Sequence, residues 1–177
     1  MLFSDRSLVT MVHGLVFGGG AMLALSAALF FLYAHRANGT RGTTTPGEAR
    51  ALAWLLLATA ALLWMTVLGG TYLVFPPYRA TPPPGTLDLT AFPRALIMAS
   101  PATAWLHAFG MELKEHVPWI ASMLATAVAF VGVRYRTALL DDPWLRRMAT
   151  TFVAICLALV AVVSLMGVFV NKVAPLE

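Results

Sequence analysis

The sequence predicts an all-α integral membrane protein, an up-down bundle of four helices with a proline-rich outer loop. Three observations carry this. Of 177 residues, 59% are apolar and only 11% charged, against roughly a quarter charged in average soluble domains. The apolar residues gather into four runs, 8–34, 51–75, 103–133 and 148–171, each long enough for the roughly 20 helical residues that a hydrocarbon core requires. Between the second and third runs lies one long connector rich in proline. No internal repeat is evident, so a single four-span domain is expected.

The first run follows a short polar start containing Asp5 and Arg6. It is too long and too glycine-rich for a cleaved signal and lacks a small-residue cleavage site, so it reads as a retained span. Within it, Gly14-x-x-x-Gly18 has the spacing that lets helix backbones approach closely. The second run ends in Gly69-Gly70-Thr71-Tyr72 and then Phe75-Pro76-Pro77-Tyr78-Arg79. The double proline is expected to stop the helix, and Tyr78 to settle at a headgroup boundary.

The long connector continues through Ala80 to Gly85, a stiff polyproline-like piece. In its second piece Leu89, Phe92, Leu96 and Ile97 recur at helical spacing, which suits a short surface helix. The loop is expected to act either as a lid over the bundle or as a plain connector. The third span is expected to begin near Pro101 and to bend at Pro118. The fourth ends in Asn171-Lys172, and its single cysteine, Cys156, reads as a small hydrophobe.

Seven of the twelve cations fall in the first and third connectors: Arg36, Arg41, Arg50, Arg134, Arg136, Arg146 and Arg147. The positive-inside rule then places these connectors in the cytoplasm, and both termini and the long loop outside. A bacterial inner membrane is the expected location and the lipid bilayer the first partner. The net charge of +4 is explained by this topology and not by a nucleic-acid surface. No C-x-x-C-H, phosphate loop, nucleophile elbow or His-Glu-x-x-His motif is present, which argues against covalent haem c and against a self-contained hydrolase or kinase.

Candidate chemistry concentrates in Trp105 to Trp119, which holds two of the four histidines and two of the eight acids. Ionisable groups that feed into a span suggest a site by default. Counted from the cytoplasmic ends, His13, His116, Thr71 and Asn171 lie about 18 to 24 residues away, roughly 27 to 36 Å, so all four spans bring polar groups to one outer level. In a regular helix His107 and His116 point in nearly opposite directions. His116, with Glu112 one turn away, is the one expected to face the axis, and His107 to meet headgroups or the loop. Lys114 is expected to snorkel outward.

A haem b ligated by His13 and His116, with Gly14 and Gly18 leaving room for the macrocycle edge, is the leading expectation; His107 is the alternative ligand. At these residues the chain resembles, in architecture, the four-helix membrane cytochromes b that exchange electrons with quinones. The resemblance implies an electron-transfer subunit, respiratory or photosynthetic, working with other membrane or periplasmic subunits. Many of those proteins have a second His pair near the opposite face. Here only His35 lies there. A second reading is a proton or quinol site using Glu112 and Tyr72 alongside His116. A third is a non-catalytic accessory subunit, and a fourth a metal site of Glu112, Glu115, His116 and His13, although the paired Glu-x-x-His pattern is missing.

Overall fold

A computed structural model describes residues 4–37 and 44–175. Four helices are long and apolar enough to cross a membrane: α1 (Asp5–His35), α2 (Pro46–Tyr78), α4 (Pro101–Tyr135) and α6 (Pro143–Val173). Two short ones join them, α3 (Pro93–Met98) in the long connector and α5 (Thr137–Asp141) after α4. Each of the four exceeds the corresponding apolar run, because polar caps extend the helix past the hydrophobic stretch. Thr45 starts α2 with a capping box: its hydroxyl accepts from Glu48 N–H, and Glu48 reaches back to Thr45 N–H at 2.8 Å. Asp142 caps α6 by accepting from Trp144 and Leu145 N–H, and Ser100 caps α4 by accepting from Ala102 N–H. In all three, proline occupies the first turn, where its missing N–H costs nothing.

The long helices pack in a ring, α1 beside α2, α2 beside α4, α4 beside α6 and α6 beside α1, with α1 and α4 on one diagonal. Small residues on the inward stripes make the contacts close: Ala21 and Ala28 on α1, Ala49 and Ala60 on α2, Ala121, Ala125 and Gly132 on α4, Ala149 on α6. The opposite faces stay apolar while exposed, as Leu15, Leu23, Phe30, Trp54 and Phe130 show. An apolar circumference of this kind belongs against lipid. Cys156 is buried in the core, its thiol donating to Ala121 C=O.

The arginine-bearing connectors define one end of the bundle and the long loop the other, called here the arginine end and the loop end. At the arginine end Thr44 Oγ1 bonds both His35 Nε2, at 3.1 Å, and the Asp141 carboxylate, tying α1 to α5. Arg41 lies outside the described residues, as do the side chain of Arg36 and Glu177.

At the loop end three helices depart from α-helical geometry. Each loosens into π turns, over Val12–Gly19 in α1, Gly70–Val74 in α2 and Leu106–Met111 in α4. A π turn holds one more residue than an α turn, so it rotates every side chain beyond it by about 100° relative to regular counting. The double proline ends α2 as expected: Pro76 and Pro77 lie in its last turn, which stops at Tyr78. One expectation fails because of the π turn. Tyr78 does not face a headgroup boundary but is turned inward and buried. α4 also runs on through Pro118, and its irregularity lies at the π segment before it.

The long connector closes over the loop end as a lid. Ala80 to Gly85 is extended without helix, and Gly85, at φ 84°, makes the turn that only glycine adopts freely. Thr90 donates twice to the Asp88 carboxylate, holding it below the usual carboxylate range. α3 then inserts Ile97, which is fully buried, among Tyr78, Leu106, Met111 and Ala174. Thr103 Oγ1 donates to Ile97 C=O at 2.7 Å, and Arg6 reaches Ala91 C=O from the start of α1.

Candidate functional site at the loop end

Gly69 and Gly70 leave α2 without side chains where α1 passes beside it. The imidazole of His13 fills that space: a methyl group at Gly70 would lie 2.8 Å from His13 Cε1, and one at Gly69 4.0 Å from Nδ1. His13 owes this position to the π segment. In a regular helix the stripe of Ala21 and Gly18 would continue to Gly14, four residues back; with one residue added, the inward place passes to His13, five back. Gly14 meets open space instead, and Gly18 approaches only the carbonyl of His13 in its own helix.

His13 Nδ1 is buried and has no hydrogen-bond partner. A buried polar nitrogen left unpaired costs about 1 to 3 kcal/mol, so such an atom calls for an explanation. The ring of His13 lines, with Leu8, Val9, Val12, Phe17, Gly69 and Leu73, a cavity of about 220 Å³ between α1 and α2. Leu8, Val9, Val12 and Leu73 are themselves exposed on the flank of the bundle, so the cleft opens sideways. Its form is an apolar slot with the imidazole ring of His13 in one wall.

Lys114 is the second inward group. Its Nζ is directed at α6, where a methyl group at Gly167 would lie 3.0 Å from it, and its charge acts on His13. Lys114 therefore does not snorkel outward. It lies seven residues before Ala121, on the face that α4 buries. Deeper in the bundle a cavity of about 40 Å³, room for one water, is bordered by Gly18, Thr66, Pro118 and Ser164.

The third group lies under the lid. Arg94 Nε donates to His107 Nε2 at 3.2 Å, and His107 Nδ1 lies 3.0 Å from Tyr78 Oη. Arginine has no acceptor, so Nε2 must carry the lone pair and a neutral ring holds its proton on Nδ1. His107 thus meets the loop, as expected, and latches α3 to α2 through α4. The latch needs a neutral imidazole: protonation removes the acceptor and sets a cation against Arg94. Hydrogen exchange over residues 93–98, corrected for intrinsic rates, should consequently speed up about tenfold between pH 8 and pH 5, a change of ~1.4 kcal/mol within the worth of one charged hydrogen bond. His107→Gln should flatten that dependence.

The other expected residues are placed elsewhere. His116 stands on the surface with its side chain 71% exposed, paired at 3.6 Å with Glu112, which is 65% exposed. His116 Nδ1 also lies 2.9 Å from Glu112 C=O in its own helix. His13 and His116 are therefore not brought face to face, because Lys114 and not His116 occupies the inward face of α4. Tyr72 and Asn171 are exposed and Thr71 half-buried, so the common level of four spans places polar groups around the rim as well as inside it. Among the described residues no three His, Cys, Asp or Glu side chains gather to hold a metal ion, which disposes of the four-residue metal site.

Sequence reasoning passed over Gly70 and Lys114. The signal for Lys114 was present in its heptad spacing from Ala121; that for Gly70 was not, since the glycine acquires its role from the ring lying on it. Comparison with family models, with curated proteins and with solved structures finds no match.

Proposed function

We propose that this chain is a membrane subunit of an electron-transfer complex and that the cleft beside His13 takes the headgroup of an isoprenoid quinol. The observation that carries this reading is the apolar slot open to the flank, with His13, whose buried Nδ1 has no hydrogen-bond partner, in its wall. An amphipathic ligand with a long apolar body and a single hydrogen-bonding head matches that slot, and a pocket of apolar walls with few polar groups is the usual form of a small-molecule site. The arginine end faces the cytoplasm in this reading, so the cleft opens near the opposite surface, with neighbouring membrane or periplasmic subunits supplying the electron acceptor.

The test is quinone retention. Protein purified in mild detergent should carry quinone, extractable and quantifiable by chromatography, and His13→Ala should lower its affinity about tenfold or more, the value of one hydrogen bond to an otherwise unpaired group. Wild-type protein that holds no more quinone than empty micelles would refute the proposal.

Haem b on the same ring is the second reading, favoured by the same free nitrogen. With His116 turned to the surface, the iron would take His13 as its one histidine from this bundle. A reduced-minus-oxidised spectrum showing a b-type band that His13→Ala removes would establish it, and a band that follows His116 would place the group at an interface instead.

A further inference from the structure

Arg50, Arg134, Arg136, Arg146 and Arg147 stand at the arginine end, and among the described residues no carboxylate lies within ion-pair distance of any of them. The three acids there are committed elsewhere: Glu48 closes the capping box on Thr45, Asp141 accepts from Thr44 Oγ1, and Asp142 caps α6. The guanidinium groups are left with neutral partners. Arg146 donates to Leu140 C=O, Arg147 Nε donates to Pro143 C=O at 3.3 Å, and Arg134 lies over the Tyr135 ring, 5.8 Å from its centre. Arg146 Nε is buried with no partner, while the other four arginines are exposed. Arg136 turns the chain from α4 into α5 at φ 48° and ψ −117°, a conformation that glycine takes freely and arginine only at a cost. Leu139 and Leu140, buried just beyond it, hold the turn by packing and leave the cation outside. Tyr33, Trp54, Tyr135 and Trp144 are exposed near the same end. Exposed tyrosine and tryptophan gather where hydrocarbon meets headgroups, which sets these arginines at the level of lipid phosphates.

We propose that the arginine end binds the phosphate groups of anionic phospholipids, which supply the counter-charge that the chain itself withholds. A guanidinium presents a planar fork of N–H donors that matches two oxygens of a phosphate. Zwitterionic lipids bring the same phosphate together with a cation, which the neighbouring arginines repel, so a head of net negative charge is preferred. The exposed aromatic residues favour a lipid over a dissolved anion, because its acyl chains lie along the apolar flank while its phosphate reaches the arginines. Arg136 gives the surface a cation at a position where the backbone alone would select glycine. The surface lies at the opposite end of the bundle from the cleft beside His13, so the proposal is independent of the quinol reading.

Lipid retention tests it. The full chain in mild detergent is equilibrated with micelles holding equal amounts of phosphatidylglycerol and phosphatidylcholine and repurified, and the phospholipid it keeps is quantified by mass spectrometry. The wild type should favour phosphatidylglycerol by about fivefold or more, the effect of one arginine near an anionic headgroup. Arg136→Gly should lower that preference while thermal stability holds or rises, since glycine relieves the turn; an arginine with a purely structural role would lose stability and leave the preference alone. Arg136→Gly combined with Arg147→Gln should return the ratio to that supplied, and Lys172→Gln, at the loop end, should leave it as in the wild type. Absence of any preference in the wild type overturns the proposal. A preference that the double variant keeps overturns it as well, because the lipid is then held elsewhere. Displacement of phosphatidylglycerol by inorganic phosphate at constant ionic strength would show a site for the free anion and not for lipid, with the same result.

Discussion

Gly70→Val removes quinone retention as fully as loss of His13 itself, although the substitution places no polar group anywhere. A methyl group at Gly70 already lies 2.8 Å from His13 Cε1 and 3.4 Å from Nε2, well inside contact distance. The obstructing atoms belong to a ring wedged between two helices, so relief requires the imidazole to leave the α2 surface or α1 to move away. Overpacking of this kind costs about 1 to 3 kcal/mol. Two controls calibrate it. Gly69→Ala meets His13 Nδ1 at 4.0 Å, an ordinary contact, and Gly14→Ala meets nothing within 4 Å. Both should keep quinone, and Gly14→Ala should match or slightly exceed the wild type in thermal stability, because alanine is favoured over glycine inside a helix by roughly 0.5 to 1 kcal/mol. If Gly70→Val binds quinone normally, His13 does not do its work against α2.

Ile97→Ala has the second large effect, and a different signature. Ile97 is fully buried, and it is the residue by which the lid enters the cluster of Tyr78, Leu106, Met111 and Ala174. Truncating a buried isoleucine costs about 2 to 5 kcal/mol. Here the loss falls on a short helix held by few contacts, so it should appear as local opening before global unfolding. Exchange over residues 93–98 should rise roughly thirtyfold or more, the factor that corresponds to about 2 kcal/mol, while exchange in α6 near Val153 stays slow. Retention of quinone should persist, because the cleft beside His13 opens on the flank between α1 and α2 and not beneath the lid. Uniform acceleration along all four long helices would show that the loop is part of the core and not a cover for it.

The bundle itself was legible in the chain. Length and hydropathy of the four runs required four crossing helices, and Pro101 marked where the third of them begins. The spacing of Leu89, Phe92, Leu96 and Ile97 was enough to expect a short surface helix in the loop; the helix covers Pro93–Met98 and is anchored by Ile97, which is buried. The level of the site was also legible: counting residues from the arginine end brought His13 to the height of Thr71, next to Gly70. Facing was less secure. Lys114 shares a face with Ala121 by simple heptad spacing, but its charge argued for an outward position. Burial prevailed there because the arc of α4 that carries Ala121 and Ala125 can turn only one way, and Lys114 turns with it.

His13 marks the limit of the sequence. Composition and run lengths determined an all-α bundle of four apolar helices with one long loop, because hydrophobic burial and backbone hydrogen bonding act on patterns that a single helix already displays. Which histidine lies inside was decided by the tertiary structure. α1 gains one residue in its π turn where α2 offers the bare backbone of Gly69 and Gly70, and that extra residue gives the inward place to His13 and turns Gly14 out. A regular helix drawn from the sequence carries the period of 3.6 residues straight through this point. Only the neighbouring helix supplies the reason for it to change.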